Sequence, residues 1–309
     1  MPKDVPASVE ERLRTLRAAS GEEFQALLIR YARERLLYRL SRSAYRDQFI
    51  LKGAILFAVW AKKPFRSTKD VDFLGLGPGD IQSVVAVFRE LCADAGSPGV
   101  EDGIRFDPDS VRGEPIREGA DYGGVRIRLT ALISSARPPV QIDVAFGDVM
   151  TTEAQEVELP VILDYPAPRL RAYSRETVIA EKLQAMTVLA TTNSRMKDFY
   201  DVWILQQEFP FDGVTLSEAI KATFERRRTA VDPASCVAFQ SAFYVSAEPL
   251  NLWRAYVLRG GLERVPPSFA AVGEAITGFL RPVAESVAAG LPFDRIWPPG
   301  GPWREKEDG

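Results

Sequence analysis

The sequence predicts an α+β fold in which a mixed sheet in the N-terminal lobe is followed by a helical C-terminal lobe. Apolar and polar residues alternate over 125–133 and 140–146, as in half-buried strands, whereas strand patterns cease beyond Ser174. At 309 residues the chain is also too long for one small core. We therefore expect two domains, an α/β lobe with N-terminal helices over 1–170 and a helical lobe over 171–309.

The elements of the first lobe follow from changes in periodicity along the chain. Gly, Asp and Pro are frequent over 98–123, which predicts hairpins and loops there. The other elements are predicted, in order, as a helix over 8–43, a short strand at 49–51, a helix at 54–60, a strand over 71–74, a helix over 80–93 and the two strands of 125–133 and 140–146.

Pro and Gly residues divide the second lobe into separate helical segments. The tail after residue 290 is rich in both residue types, and we expect it to be loosely ordered. Helices are predicted at 175–190, 197–208, 214–228, 234–245, 248–258 and 268–288.

The overall charge restricts how the protein could bind a polyanion. The net charge is −3 and the pI about 5.4, so only a local basic patch could hold a nucleic acid. Each of two arginine groups is either a solvated helix face or an RNA-facing patch. The groups are Arg30, Arg33, Arg35, Arg39, Arg42 and Arg46 in and just after the first helix, and Arg226, Arg227 and Arg228 near the end of a later one.

Cysteine usage and hydropathy indicate the compartment. The chain contains two cysteines, Cys92 and Cys236, which we expect to be buried, reduced thiols. Apolar runs fall short of the ~20 residues that a membrane span needs, and the N-terminus is charged from Lys3 onward. We therefore expect a cytoplasmic protein with no membrane helix or signal peptide.

The absence of histidine narrows the chemistry. The chain contains no histidine, which excludes Ser–His–Asp triads, zinc sites with His ligands and histidine general bases. Any catalysis must use carboxylates, lysine, hydroxyl groups or a bound hard cation.

Two aspartates on a predicted strand are the first candidate site. Asp70 and Asp72 are two residues apart, so both carboxylates project to one face while Val71 enters the core. Such close charges repel unless a cation lies between them. If the strand carrying Asp143 pairs with theirs, the three carboxylates could bind two Mg²⁺ ions about 3.5–4 Å apart. Asp-x-Asp sequences also occur by chance at exposed strand ends and turns.

The residues before this pair could hold phosphates. Gly53 stands at a strand-to-helix turn, where a small residue lets backbone N–H groups approach an anion. A triphosphate site needs cations and hydroxyl groups close to the carboxylates. The loop immediately before Asp70 offers both, in Arg66, Ser67, Thr68 and Lys69.

Two charged residues of the second lobe lie within apolar helix stripes. Lys182 shares its stripe with Val178 and Ala185, so it either snorkels to solvent or points into a cleft toward an anion. Asp198 is likewise flanked by apolar residues, with Asp201 at the border of the same arc. It is either a helix N-terminal charge favoured by the helix dipole or a carboxylate aimed into the cleft between the lobes.

Five segments, taken in this order, resemble the AbiEii/AbiGii-type nucleotidyltransferase toxins, which are relatives of the polymerase-β-like superfamily. The resemblance spans roughly residues 20–210. The segments are FILKGAILF (49–57), RSTKDVDF (66–73), IDVAFGD (142–148), ETVIAEKLQA (176–185) and KDFYDVW (197–203).

The resemblance implies a polymerase-β-like core with a mixed sheet and a role for several of the candidates. The wider superfamily has Gly-Gly or Gly-Ser where this chain has Gly53-Ala54, which removes any serine contact with the triphosphate. The implied metal ligands are Asp70 and Asp72, with Asp143 as the third carboxylate; Ser67 and Lys182 hold phosphates, and Asp198 is essential for activity.

The function that the resemblance implies is Mg²⁺-dependent transfer of a nucleoside monophosphate from an NTP to RNA, at the 3′ end of tRNA. Members of the family are typically the toxin half of a bacterial toxin–antitoxin or phage-defence pair, so a cognate antitoxin is a possible partner. Two alternatives stay open: the same transfer to a protein hydroxyl, and a degenerate module that only binds nucleotide or a partner.

Overall fold

The computed structural model describes residues 4–61, 65–66, 68, 70–94, 101–118, 122–147 and 154–306. The chain forms two compact units. Unit 1 contains the described residues of Met1–Pro64, Thr68–Gly147 and Ala154–Ala172, and unit 2 those of Phe65–Ser67 and Tyr173–Gly309.

Unit 1 begins with two helices where the sequence predicts one over 8–43. Helix α1 spans Val5–Ser20 and helix α2 spans Phe24–Arg42. Gly21 separates them because it adopts a left-handed conformation, with φ of 74°, and its N–H caps the carbonyl of Arg17. An apolar pattern that continues across such a cap does not reveal the break.

The core of unit 1 is a seven-stranded sheet in the order β3-β4-β5-β2-β1-β7-β6. Strands β2 and β5 are parallel, as are β1 and β7, and the other neighbours are antiparallel, so the predicted mixed sheet of an α+β fold is confirmed. Its elements are β1 (Phe49–Lys52), α3 (Leu56–Ala61), β2 (Asp70–Gly75), α4 (Ile81–Ala93), β3 (Arg105–Glu118), β4 (Tyr122–Leu132), β5 (Pro139–Phe146), β6 (Gln155–Glu158) and β7 (Arg169–Ala172).

Of the hairpins and loops predicted over 98–123, the loop part is wrong where strand β3 occupies the region, whereas β3 and β4 do form an antiparallel pair. Pairing with β4 forms this strand, with a register shift between Asp107 and Arg112. Helix α4 packs so closely on it that a Cβ at Gly113 would lie 2.6 Å from Cγ2 of Val85. The glycine that suggests a loop therefore makes room for a helix.

The basic helix face predicted on α2 is also wrong for three of its arginines. Arg33, Arg35 and Arg39 are 9%, 0% and 1% exposed. Arg39 donates to both carboxylate oxygens of Asp102 at 3.2 Å, and Arg35 donates twice to the carbonyl of Pro166, at 3.1 and 2.9 Å. These side chains neutralise a buried carboxylate and donate hydrogen bonds to a backbone carbonyl of unit 1, so they cannot contact RNA phosphates.

Unit 2 is mainly helical, as predicted. A 3₁₀ turn at Val237–Phe239 and a five-residue helix replace the single helix predicted at 234–245. The helices are α5 (Arg175–Leu189), α6 (Met196–Glu208), α7 (Gly213–Arg226), α8 (Ser241–Val245), α9 (Ala247–Arg259) and α10 (Phe269–Ala289).

Unit 2 nevertheless contains strands, and its tail is packed. Strands β8 (Phe211–Asp212), β9 (Arg295–Trp297) and β10 (Arg304–Glu305) form a three-stranded sheet. Trp297 is 5% exposed and donates its indole N–H to the carbonyl of Gln206 at 2.9 Å. The expectations of a strand-free second lobe and a loose tail are therefore wrong.

Two smaller predictions can be compared with the structure. Cys92 and Cys236 are free and buried, as predicted. Of the helices that the structure describes, none has the length and apolar character needed to span a membrane.

Candidate active site

Four charged residues lie side by side across one face of the sheet in unit 1. In the strand register Asp72 is the partner of both Lys52 and Asp143, and Asp143 is in turn the partner of Arg126. Residues directly opposite each other on neighbouring strands point to the same face. We call Lys52, Asp72, Asp143 and Arg126 the charged row.

Asp70 joins the two aspartates of the charged row on this face. It lies two residues before Asp72 on β2, where the burial pattern leaves both aspartates partly exposed and buries Val71 and Phe73 to 1% and 0% exposure. The two strands do pair: β2 and β5 run parallel, with Asp72 opposite Asp143. Strand pairing thus brings carboxylates more than 70 residues apart in the chain onto neighbouring strands.

Asp143 is not an open metal ligand in this structure. Arg126 donates to both of its carboxylate oxygens, from Nε at 2.8 Å and from Nη2 at 2.7 Å. The hydrogen bond to Asp143 also raises the pKa of Arg126. Within the described residues, no three His, Cys, Asp or Glu side chains are grouped so that they could hold a metal ion.

Gly53 provides clearance for Asp72. Its φ is +78°, a conformation that L side chains rarely adopt. A Cβ at this position would lie 2.9 Å from Cγ of Asp72. The sequence suggested that Gly53 serves a phosphate, and its contact with the Asp72 side chain is a second reason for a glycine here.

Arg33 holds the segment that leads into β2, a role that no pattern in the sequence indicated. From α2, Arg33 Nη1 donates to the carbonyl of Thr68 at 2.6 Å, and the Thr68 hydroxyl donates to the carbonyl of Asp70 at 3.3 Å. Burial lowers the pKa of Arg33. No local pattern could have linked residues 35 positions apart. The predicted phosphate ligand Ser67 and its neighbour Lys69 lie outside the described residues.

A second charged group lies in unit 2. Lys182 Nζ is 2.6 Å from Oδ1 of Asp198 and 2.8 Å from Oδ2 of Asp201, and both carboxylates are 1% exposed. Arg66 donates to the two oxygens of Asp201 at 2.7 and 2.8 Å. We call Lys182, Asp198, Asp201 and Arg66 the Lys182 cluster.

Two members of the Lys182 cluster, Lys182 and Asp201, are held ionised by their partners. Burial alone would lower the pKa of Lys182, but the charges of Asp198 and Asp201 raise it above its usual value. Burial alone would raise the pKa of Asp201, but Lys182 and Arg66 lower it. Arg195 adds a third cation, 2.9 Å from Oδ2 of Asp198. A phosphate could reach Lys182 only in competition with these carboxylates.

The structure therefore distributes the predicted site residues over two groups. Gly53, Thr68, Asp70, Asp72 and Asp143 belong to unit 1. Arg66, Lys182 and Asp198 belong to unit 2, where they meet Asp201, which the sequence placed only at the border of an apolar arc. The spacing of Asp198 and Asp201, one helical turn apart, was the signal that both could reach one lysine.

Two solved structures are similar to this chain. One is described as "Crystal structure of JHP933 from Helicobacter pylori", with 14% sequence identity, 86% of this chain and 93% of that chain covered, and a TM-score of 0.46. The other is "Crystal structure of putative nucleotidyltransferase from H. pylori", with 14% identity, 87% and 97% coverage and a TM-score of 0.48. A comparison with curated proteins finds no match.

The family comparison covers most of the chain. The model described as "Nucleotidyl transferase AbiEii toxin, Type IV TA system" matches residues 35–275. This range includes the charged row, Asp70 and the Lys182 cluster. The chain therefore belongs to the AbiEii family of nucleotidyltransferase toxins of type IV toxin–antitoxin systems.

Proposed function

We propose that this protein transfers a nucleoside monophosphate from an NTP to RNA, with the 3′ end of tRNA as acceptor and Mg²⁺ as the metal. The observation that carries the proposal is the alignment of Asp70, Asp72 and Asp143 on one face of two paired strands in a nucleotidyltransferase family member. In this proposal the transfer accounts for toxicity, because a modified tRNA would no longer support translation.

The donor set fits a hard divalent cation. Mg²⁺ prefers carboxylate oxygens, and Asp70 and Asp72 present two carboxylates from one strand with partial access to solvent. When bound, the metal would activate the attacking oxygen and neutralise charge on the phosphates. Asp143 would complete the set when Arg126 releases it.

Other residues of unit 1 would orient this site. Gly53 leaves room for Asp72, so the carboxylate keeps its rotamer beside Asp143. Arg33 fixes the carbonyl of Thr68, two residues before Asp70, from a rigid helix. Sites whose ligands are held in this way lose little entropy on binding substrate.

One of the two predicted basic surfaces stays compatible with an RNA acceptor. Arg226 and Arg228 are exposed at the end of α7, with Lys221 exposed on the same helix, whereas Arg35 and Arg39 are buried. A local cationic patch of this kind can bind phosphates on an acidic protein.

The proposal is tested by incubating the protein with Mg²⁺, total tRNA and each α-labelled NTP in turn, and analysing RNA and protein on denaturing gels. We expect some tRNAs to gain one or more labelled nucleotides and the labelling to fall steeply with added salt. The variant Asp70→Asn should give no label. A labelled protein band without labelled RNA would make a protein hydroxyl the acceptor, and nucleotide binding without any label would indicate a degenerate binding module.

The basic patch is tested separately. Charge reversal in the double variant Arg226→Glu/Arg228→Glu should raise the KM for tRNA and leave the KM for NTP unchanged. The double variant Arg254→Glu/Arg259→Glu, at two exposed arginines of α9, changes the net charge equally and is the matched control. Equal effects of both variants would show that only the net charge matters.

A further inference from the structure

The ion pair of Arg126 with Asp143 has a position that a purely structural pair would not need. Both residues belong to the charged row, with Asp143 directly opposite Asp72. The side chains are 31% and 17% exposed, so a ligand from solvent can reach the pair. By contrast, the buried pair of Arg39 and Asp102 is 1% and 5% exposed.

The pair restricts metal binding. Arg126 uses both oxygens of Asp143 in a fork-to-fork arrangement, which is the strongest geometry available to these two groups. The guanidinium of Arg126, next to Asp143, also repels a cation that approaches the carboxylates. While Arg126 stays on Asp143, this third carboxylate therefore cannot take part in metal binding.

Arg126 also suits a second partner of different chemistry. A guanidinium binds phosphate oxygens through the same two-point geometry that it uses for a carboxylate. The triphosphate of an NTP held at Asp70 and Asp72 would bring such oxygens to the charged row, within reach of a half-exposed arginine.

We propose that Arg126 is a positioning residue that exchanges Asp143 for the NTP triphosphate, and so releases Asp143 to the metal only when nucleotide is bound. The proposal rests on the proposed function, since it takes Asp70 and Asp72 as metal ligands. By thermodynamic linkage, the exchange makes nucleotide and metal strengthen each other's binding.

Arg128 supplies a matched control on the same strand. It lies two residues from Arg126, so its side chain points to the same face. It is 55% exposed and pairs with Glu114 at 2.9 Å, with Gln141 as its neighbour on β5. Replacing it by glutamine removes one positive charge from this face without touching Asp143.

The experiment measures two ligands separately in the whole protein. Mn²⁺ binding is followed by electron paramagnetic resonance without nucleotide, and binding of a fluorescent NTP is followed in EDTA. Relative to wild type, Arg126→Gln should bind Mn²⁺ about fivefold more tightly and NTP about fivefold more weakly, while Arg128→Gln changes each by less than about twofold. Arg126→Lys keeps the positive charge but cannot make the two-point contact with Asp143. Its affinity for Mn²⁺ should lie between those of wild type and Arg126→Gln.

Tighter Mn²⁺ binding together with weaker NTP binding distinguishes this exchange from a structural role of Arg126. Loss of a structural role would weaken the binding of both ligands or of neither. Unchanged or weaker Mn²⁺ binding in Arg126→Gln and Arg126→Lys would overturn the proposal. Asp72→Asn shows whether a negative result concerns the Arg126 exchange or the proposed metal site. If wild type binds Mn²⁺ and Asp72→Asn does not, a failure of the Arg126 variants concerns Arg126 alone. If Mn²⁺ binding is absent or does not need Asp72, the proposed metal site and the Arg126 exchange are both wrong.

Discussion

The charged row of unit 1 and the Lys182 cluster of unit 2 contain the same chemical groups in different surroundings. In the row, Asp143 is 17% exposed and its partner Arg126 31% exposed. In the cluster, Asp198 and Asp201 are each 1% exposed. Both groups therefore pair aspartates with cations, but the aspartates of the cluster are shielded from solvent, whereas Asp143 is open to exchange with dissolved ligands.

This difference in burial decides what the charges can do. A buried carboxylate must keep its cations, because the cost of leaving it unpaired in a medium of low polarity is several kcal/mol. A partly exposed carboxylate can instead change partners, because water screens its charge while it is between two partners. We therefore expect substitutions in the row to affect activity first, and substitutions in the cluster to affect stability first.

The largest expected effect is on activity, at Asp72. Asp72→Asn keeps the side-chain volume but removes a metal ligand, and several kcal/mol of metal stabilisation correspond to at least about a 1000-fold loss of turnover. The free energy of unfolding should change by less than about 1 kcal/mol, because the site is partly exposed. Turnover in the tRNA assay and urea denaturation measure the two effects. Asp47→Asn, at an exposed aspartate of the same unit, should change neither, and near-normal turnover of Asp72→Asn would refute its metal role.

The second prediction concerns stability, at Lys182. Lys182→Met leaves Asp198 and Asp201 buried without their shared cation, which should cost about 3–5 kcal/mol of unfolding free energy. Adding Asp198→Asn should recover part of this loss, because one of the uncompensated charges is removed. Full stability of Lys182→Met in urea denaturation would show that Arg66 and Arg195 suffice for the two carboxylates.

Gly53 tests whether the geometry of the charged row matters. Gly53→Ala forces a Cβ toward the Asp72 carboxyl group and should lower turnover about 100-fold, as a displacement of about 1 Å in a catalytic group does. Gly21→Ala is the matched control, since Gly21 has a similar φ of +74° but no atom within 4 Å of the added Cβ. Both variants should lose about 1 kcal/mol of stability from the strained φ, and only Gly53→Ala should lose activity. Equal turnover in the two variants would contradict the contact with Asp72.

The local features of this fold could be predicted from the sequence because their causes are local. Helix α5 begins at the residue that the pattern indicates, since Ser174 accepts from the N–H of Thr177 as its N-cap. The alternation along β2 and β5 likewise placed Asp70, Asp72 and Asp143 on one face.

The features that the sequence did not reveal depend on distant partners. Arg39 is buried because Asp102, 63 residues later, accepts hydrogen bonds from both of its terminal nitrogens. Strand β3 forms because β4 and α4 cover a segment whose composition favours loops. The pairing of Arg126 with Asp143 depends on the register of two strands, and a shift by one residue would have moved one of them to the other face.

Glu34 offers a further comparison with Asp201, since both are buried acids with opposite pKa shifts. Lys182 and Arg66 contact Asp201 directly and lower its pKa. Glu34 accepts a hydrogen bond from the N–H of Ile162, but the nearest arginine nitrogen that pairs with it, Nε of Arg30, is 3.6 Å away. Burial therefore prevails and raises the pKa of Glu34 to about 7.

The smallest effect that we predict is the pH dependence which Glu34 confers. Because its pKa is higher in the folded state, the folded protein binds this proton more tightly, and the resulting stabilisation is present at low pH and lost as the pH rises through 7. Relative to Glu34→Gln, which keeps an acceptor for Ile162, wild type should lose about 2 kcal/mol of unfolding free energy between pH 5 and pH 7.5. Urea denaturation of both proteins across this range measures the difference. Glu22→Gln removes an exposed partner of the same Arg30 and should show no such trend. A pH-independent difference between wild type and Glu34→Gln would mean that the nearby arginines, like the cations around Asp201, keep Glu34 ionised.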